Sequence, residues 1–148
     1  MEYNCRFGDP ETQAVIPRLR TDLAELLMAC ATGSLSGFQV ELTQDAAVTV
    51  VLASGGYPGK YVTGMEISGL GEAEDAGAMV FHSGTADKDG RVVTAGGRVL
   101  AVSALGTTQA RSRELAYRAC ARISFQGKTM RSDIGAEQPI EREEEVDR

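Results

Sequence analysis

The sequence predicts an α+β protein, on three observations. Apolar residues recur at helical spacing from Val15 to Cys30. Short β-branched segments separated by glycine-rich turns follow between Ala46 and Leu105, and a second helical stretch closes near Ser124. The 148 residues suit one ordinary domain, and a 43% hydrophobic content is enough for a core. Tryptophan is absent and aromatics make up 5%, so that core should be aliphatic.

The first element is an extended segment, Met1–Phe7. Side chains alternate faces along a strand. Glu2, Asn4 and Arg6 therefore share one face, and Tyr3, Cys5 and Phe7 share the other, which is apolar and fit to pack on a core. The polar face offers two oxygen donors beside a fixed cation. That set suits a hard divalent ion next to phosphate, because magnesium takes oxygen ligands and arginine grips phosphate through its planar fork. The same residues read equally as the solvated face of an edge strand.

Asp9-Pro10-Glu11 reads as a helix start, with Asp9 as cap and Pro10 in the first turn. Val15, Leu19, Leu23, Leu26, Leu27 and Cys30 then recur at three- and four-residue steps. Pro17 should kink or split the helix, with a second segment capped by Thr21 or Asp22 and stopped by Gly33. Ala46–Ser54 is a β-branched run expected as a buried strand. Glu66–Leu70, Met79–His82, Arg91–Ala95 and Arg98–Leu105 are expected as further short strands. Asp87-Lys88-Asp89-Gly90 signals a hairpin with Asp-Gly at its tip, and Gly96-Gly97 a sharp reversal or bulge. Thr107 or Thr108 should open a helix to about Ser124, with Leu115, Ala119 and Ile123 facing inward. Beyond Gly135 the chain is polar and acidic, as expected of a disordered tail over 137–148.

Composition excludes some functions. The net charge is −6 with no basic stripe, against a nucleic-acid partner. No apolar run approaches the ~20 residues of a membrane span, and no signal-peptide pattern opens the chain. Cys5, Cys30 and Cys120 are odd in number and far apart, so they read as thiols in the cytoplasm. Gly55-Gly56-Tyr57-Pro58-Gly59-Lys60 fails the spacing of a phosphate loop and reads as a turn, the alternative being a loop that borders a nucleotide site through backbone contacts. The 87–90 tip lacks the anchoring acids of a calcium loop, and its Lys88 lacks the flanks of a lipoyl or biotinyl carrier. His82 is the only histidine, which makes a zinc site improbable; it should sit at a strand end making one hydrogen bond. Arg98, following two glycines, could face a cleft or pair with a nearby acid.

The run Glu2-Tyr3-Asn4-Cys5-Arg6-Phe7-Gly8-Asp9-Pro10-Glu11-Thr12-Gln13 resembles the last catalytic strand of the phosphoribosylamine–glycine ligase family, in the ATP-grasp superfamily. Ala53–Tyr61, Val80–Thr85 and Val92–Leu100 are similar to the same family in order, and the likeness fades after about Gly135. The resemblance implies that residues 1–35 are the closing strand and helix of an ATP-grasp catalytic domain. It implies that 36–136 form a β-rich, barrel-sandwich-like (single-hybrid) C-terminal domain with a packed helix. The implied reaction joins glycine to 5-phosphoribosylamine in purine synthesis, with ATP as co-substrate and Mg2+ or Mn2+ as cofactor. Glu2 and Asn4 fall at the family's metal ligands, Arg6 near the transferred phosphoryl group, and Asp9, Glu11 and Thr12 in a turn near the substrate pocket.

The family's nucleotide-binding domains precede this strand and are missing here, so the chain alone is expected to be inactive. The alternative is a β-rich, non-catalytic interaction or scaffold module. A difference in exposure separates the two. Val15, Leu19, Leu23 and Leu26 should be partly exposed if the chain belongs to a larger body, and buried if it does not.

Overall fold

A computed structural model of the protein describes residues 6–136. Glu2, Asn4, most of the opening strand and the 137–148 tail lie outside the described residues. Arg6 and Phe7 precede the first element and belong to no strand. Phe7 is 59% exposed, contrary to the expectation that it packs on a core; no described segment covers it.

The sheet is built around two nine-residue strands, β1 (Ala46–Ser54) and a later strand, Arg98–Gly106. Between them come α3 (Leu70–Asp75), β2 (Met79–His82), β3 (Thr85–Lys88) and β4 (Arg91–Thr94), so Arg98–Gly106 is β5. A helix, α4 (Gln109–Cys120), and a short β6 (Lys128–Thr129) follow. The four-stranded antiparallel sheet has the order β2-β5-β1-β6, and β3 and β4 form a separate hairpin. Asp89 and Gly90 turn that hairpin with φ of 56° and 76°, the left-handed pair that a tight Asp-Gly turn requires.

Register explains why both faces of the sheet are covered. Val48, Val50 and Leu52 pair across the ladder with Ala104, Val102 and Leu100. Directly paired residues share a face, and this one packs against Ala116, Ala119 and Cys120 of α4 in the main core. The opposite face carries Thr49 paired with Ser103. There the Ser103 hydroxyl donates to the Gln13 carbonyl at 2.7 Å and Thr49 meets Ser103 at 2.7 Å. A segment from the start of the chain thus lies on the second face of the sheet, and Val99–Ala104 of β5 is buried throughout.

That segment comprises α1 (Thr12–Val15) and a 3-10 turn at Ile16–Arg18, and α2 (Leu23–Thr32) follows it. Pro17 splits the helix as its missing N–H dictates. Asp22 caps α2, accepting from the amides of Ala24 at 2.8 Å and Glu25 at 3.1 Å, and Gly33 ends it at φ 69°. A short antiparallel contact ties the 3-10 turn to the strand approach: Arg20 N–H donates to Glu41 O at 2.9 Å and Thr43 N–H to Arg18 O at 2.7 Å.

Three expectations are corrected. The first helix starts at Thr12 rather than Asp9, because residues 8–12 close a turn on Gly8 and the Asp9 side chain caps nothing. Glu66–Leu70 is not a strand. Glu66 and Ser68 make single bridges to Val93 and Ser124, and Gly69 at φ 81° turns the chain into α3. Helix α4 ends at Cys120, four residues before Ser124, because the Ser68 and Ser124 backbones exchange hydrogen bonds at 2.9 and 3.0 Å and draw the chain away. Thr108 caps α4 through the Arg111 amide at 3.2 Å. Ile123 is fully buried but beyond the helix, and Leu115 only partly so. No described helix is long and apolar enough to cross a membrane.

Candidate functional site

The turn that opens the described chain is built on Gly8. Its N–H donates to the Glu11 carboxylate at 2.8 Å, and its carbonyl accepts from the Thr12 hydroxyl at 2.6 Å and the Thr12 amide at 3.1 Å. These bonds fix the turn's shape and turn the Asp9 carboxylate outward. One of its oxygens accepts from Gln13 Nε2 at 3.0 Å. The other lies 3.6 Å from the Arg98 guanidinium, and Arg98 Nη1 donates to the Asp9 carbonyl at 2.8 Å. The first residue of β5 thereby grips the opening turn from a distant part of the chain.

Arg98 stands where it does because the strand before it is stripped of side chains. A Cβ on Gly97 would sit 2.1 Å from Cδ2 of Tyr57, so only glycine lets the Tyr57 ring lie against that backbone. On the neighbouring strand His82 pairs with Leu100, and its Nδ1 lies 2.9 Å from the Thr85 hydroxyl, the single bond expected of it.

An open cleft of about 750 Å³ results, between the opening turn and the β2–β5 end of the sheet. Arg6, Asp9 and Thr12 line one wall; Tyr57, His82 and Arg98 line the other. Among the described residues, two guanidiniums against one carboxylate give it a positive balance suited to an anionic ligand.

Of the residues singled out in the sequence, the fold brings Arg6, Asp9 and Thr12 to this cleft. Glu11 lies outside its lining, with its carboxylate committed to Gly8. Glu2 and Asn4 are outside the described residues, and among the described residues no three acids, histidines or cysteines cluster as a metal site would. Arg98 satisfies both readings offered for it, since it faces the cleft and pairs with an acid. The 55–60 loop reaches the cleft through the Tyr57 side chain, whereas the sequence suggests a turn or, at a site's border, backbone contacts. The adjacent Gly96-Gly97, a place for close backbone approach, was the signal pointing to Tyr57. A second hollow of about 510 Å³, mostly apolar, lies behind Tyr57 and Arg98 against Val51 and Met130.

Among the described residues, the apolar side chains around α2 are left largely uncovered. Only Ala29 of α2 is buried. Val15, Leu23, Leu27 and Met28 are exposed, the last at 63%, and Leu35, Val40 and Leu42 extend the patch, while Leu19 and Leu26 are half-buried.

Residues 47–137 match the family described as Phosphoribosylglycinamide synthetase, C domain. The chain is 52% identical over 136 residues to a phosphoribosylamine–glycine ligase of Synechocystis, covering 91% of this chain and 32% of that protein. It is 49% identical over 136 residues to the trifunctional purine biosynthetic protein adenosine-3 of Gallus gallus, covering 91% of this chain and 14% of that one. The crystal structure of phosphoribosylamine–glycine ligase from Thermotoga maritima superposes with a TM-score of 0.71 at 37% identity, over 90% of this chain and 32% of that one. The chain thus spans about a third of the length of the single-activity ligases it matches. With that match running through the sheet, α4 and most of the cleft's far wall, the chain belongs to the phosphoribosylglycinamide synthetase C-domain family.

Proposed function

We propose that this chain is the C-terminal portion of an ATP-dependent ligase that joins glycine to 5-phosphoribosylamine, yielding glycinamide ribonucleotide, ADP and phosphate. In this reading ATP phosphorylates the glycine carboxylate. The amine then attacks the acyl carbon; the new C–N bond forms as the C–O bond to phosphate breaks, and the amine loses a proton. The work left to the protein is positioning and offsetting charge.

The observation that carries the reading is the cationic cleft between the opening turn and β5, which collects Arg6, Asp9 and Thr12. Arg6 is assigned to the transferring phosphoryl group and Thr12 to the substrate wall, while Glu11 holds the turn through Gly8. Glu2 and Asn4 are the proposed oxygen ligands of Mg2+ or Mn2+, which when bound neutralises phosphate charge. The apolar surface of α2 favours this reading over a self-sufficient scaffold module, since a free-standing domain rarely leaves such a face uncovered.

The test is a chimera in which this chain replaces the matching third of the Synechocystis ligase. Glycine- and phosphoribosylamine-dependent ADP release at a rate near the parent's is expected. A folded chimera that binds ATP but releases no ADP would reject the assignment.

A further inference from the structure

We propose that Arg98, with His82 beside it, forms a phosphate subsite on the β5 wall of the cleft, facing Arg6. The proposal deepens the ligase reading and rests on it for the cleft's role. The ligand chemistry is a phosphate dianion, carried on a pentose or on a nucleotide.

Three observations meet at this point. Arg6 and Arg98 are far apart in sequence yet line the same hollow, and among the described residues Asp9 is the one carboxylate in its lining. Arg98 is held from behind: its bonds to Asp9 use only part of the five N–H donors a guanidinium carries, and its side chain is 42% exposed. A pre-positioned fork of this kind loses little freedom when it meets phosphate. Finally, the backbone of this wall is already paired. Ser83 N–H donates to Val99 O at 3.0 Å and Gly84 N–H to Arg98 O at 2.9 Å. With these two amides spent, side chains are left to recognise an anion on this wall; of those in the lining, the guanidiniums carry fixed positive charge and His82 stands beside Arg98, while Tyr57 and Ser83 add hydroxyl donors.

His82 is the chain's only histidine, so its imidazole proton signals report on this wall without assignment ambiguity. The experiment titrates the 148-residue chain with ribose 5-phosphate, ATP or ribose and follows those signals by NMR. Saturable movement with ribose 5-phosphate and none with ribose is expected. Arg98→Ala should weaken binding about tenfold or more, as loss of a charge-assisted pair does, and Arg98→Lys should weaken it less. Asp9→Asn removes the competing carboxylate while keeping the carbonyl that orients Arg98, and should bind at least as tightly as the parent. Stronger Arg98-dependent movement with ATP would support the subsite and give it to the nucleotide. No saturable movement with either phosphate, or equal binding by a folded Arg98→Ala chain, overturns the proposal. An active chimera together with an unmoved His82 would remove this subsite and leave the ligase reading standing.

Discussion

Arg98 and Asp9, 89 residues apart, are joined at both ends of the acid: Nη1 donates to the Asp9 carbonyl at 2.8 Å and Nη2 lies 3.6 Å from the carboxylate. Both side chains are 42% exposed, so solvent screens the ion pair and its share of global stability should stay below about 1 kcal/mol. Its effect is local. Arg98→Ala should leave the midpoint of urea unfolding nearly unchanged while speeding hydrogen exchange at the Thr12 and Val15 amides, which are bonded within the tethered turn. Unchanged exchange would mean that the Ser103–Gln13 bond and the Arg18–Thr43 contact hold the segment without Arg98.

The sandwiching of the sheet makes a sharper contrast. Leu52 is fully buried under α4, and Leu52→Ala should cost about 2–5 kcal/mol through lost transfer energy and the cavity it leaves. Leu27 is 58% exposed on α2, and Leu27→Ala should fall within about 0.5 kcal/mol. Denaturant melts of the two variants check the difference.

Cys120 supplies a pH dependence. Burial pushes its thiol up from 9.0 to about 11, opposed in part by the nearby Lys128 charge. The unfolded thiol ionises near 9 while the folded one stays neutral until about 11, so across that window the folded state binds more protons and stability falls as pH rises. Two units correspond to roughly 2–3 kcal/mol, fully present below pH 9. Against a Cys120→Ala reference, the parent should lose that much additional stability between pH 9 and 11. Parallel melting curves would contradict it.

The exposed face of α2 should behave as a latent interface. Leu27→Glu with Met28→Glu should leave the melting temperature of this chain unchanged, because neither residue packs on its core. The same pair should reduce self-association in sedimentation. In the chimera with the Synechocystis ligase it should cost most of the activity, since two carboxylates would then face an apolar contact. Full activity of that variant would show the face stays solvated.

Local signals account for what was legible in the chain. Asp22 and Gly33 bound α2, Asp89-Gly90 turns the hairpin and Thr108 caps α4 because each acts on its own neighbours' backbone. The misread parts depend on distant partners. Asp9 looks like a cap until Arg98 and Gln13 take its oxygens. Glu66–Leu70 has strand composition but meets only single bridges at Val93 and Ser124. Arg6, Asp9 and Thr12 were readable as one cluster because they are close in sequence. Tyr57 was not, since its place against Gly97 exists only once β1 and β5 are paired.

In the proposed ligase, this chain would supply a substrate wall and the preceding domains the nucleotide machinery. The most direct test of this division mixes the purified chain with the separately expressed remaining two-thirds of the Synechocystis ligase and measures ADP release that requires both glycine and 5-phosphoribosylamine. Release is expected from the mixture alone, with none from either part and no micromolar Mg-ATP binding by this chain in calorimetry. Turnover or micromolar Mg-ATP binding by the isolated chain, or a silent mixture in which the two parts demonstrably associate, would contradict this division.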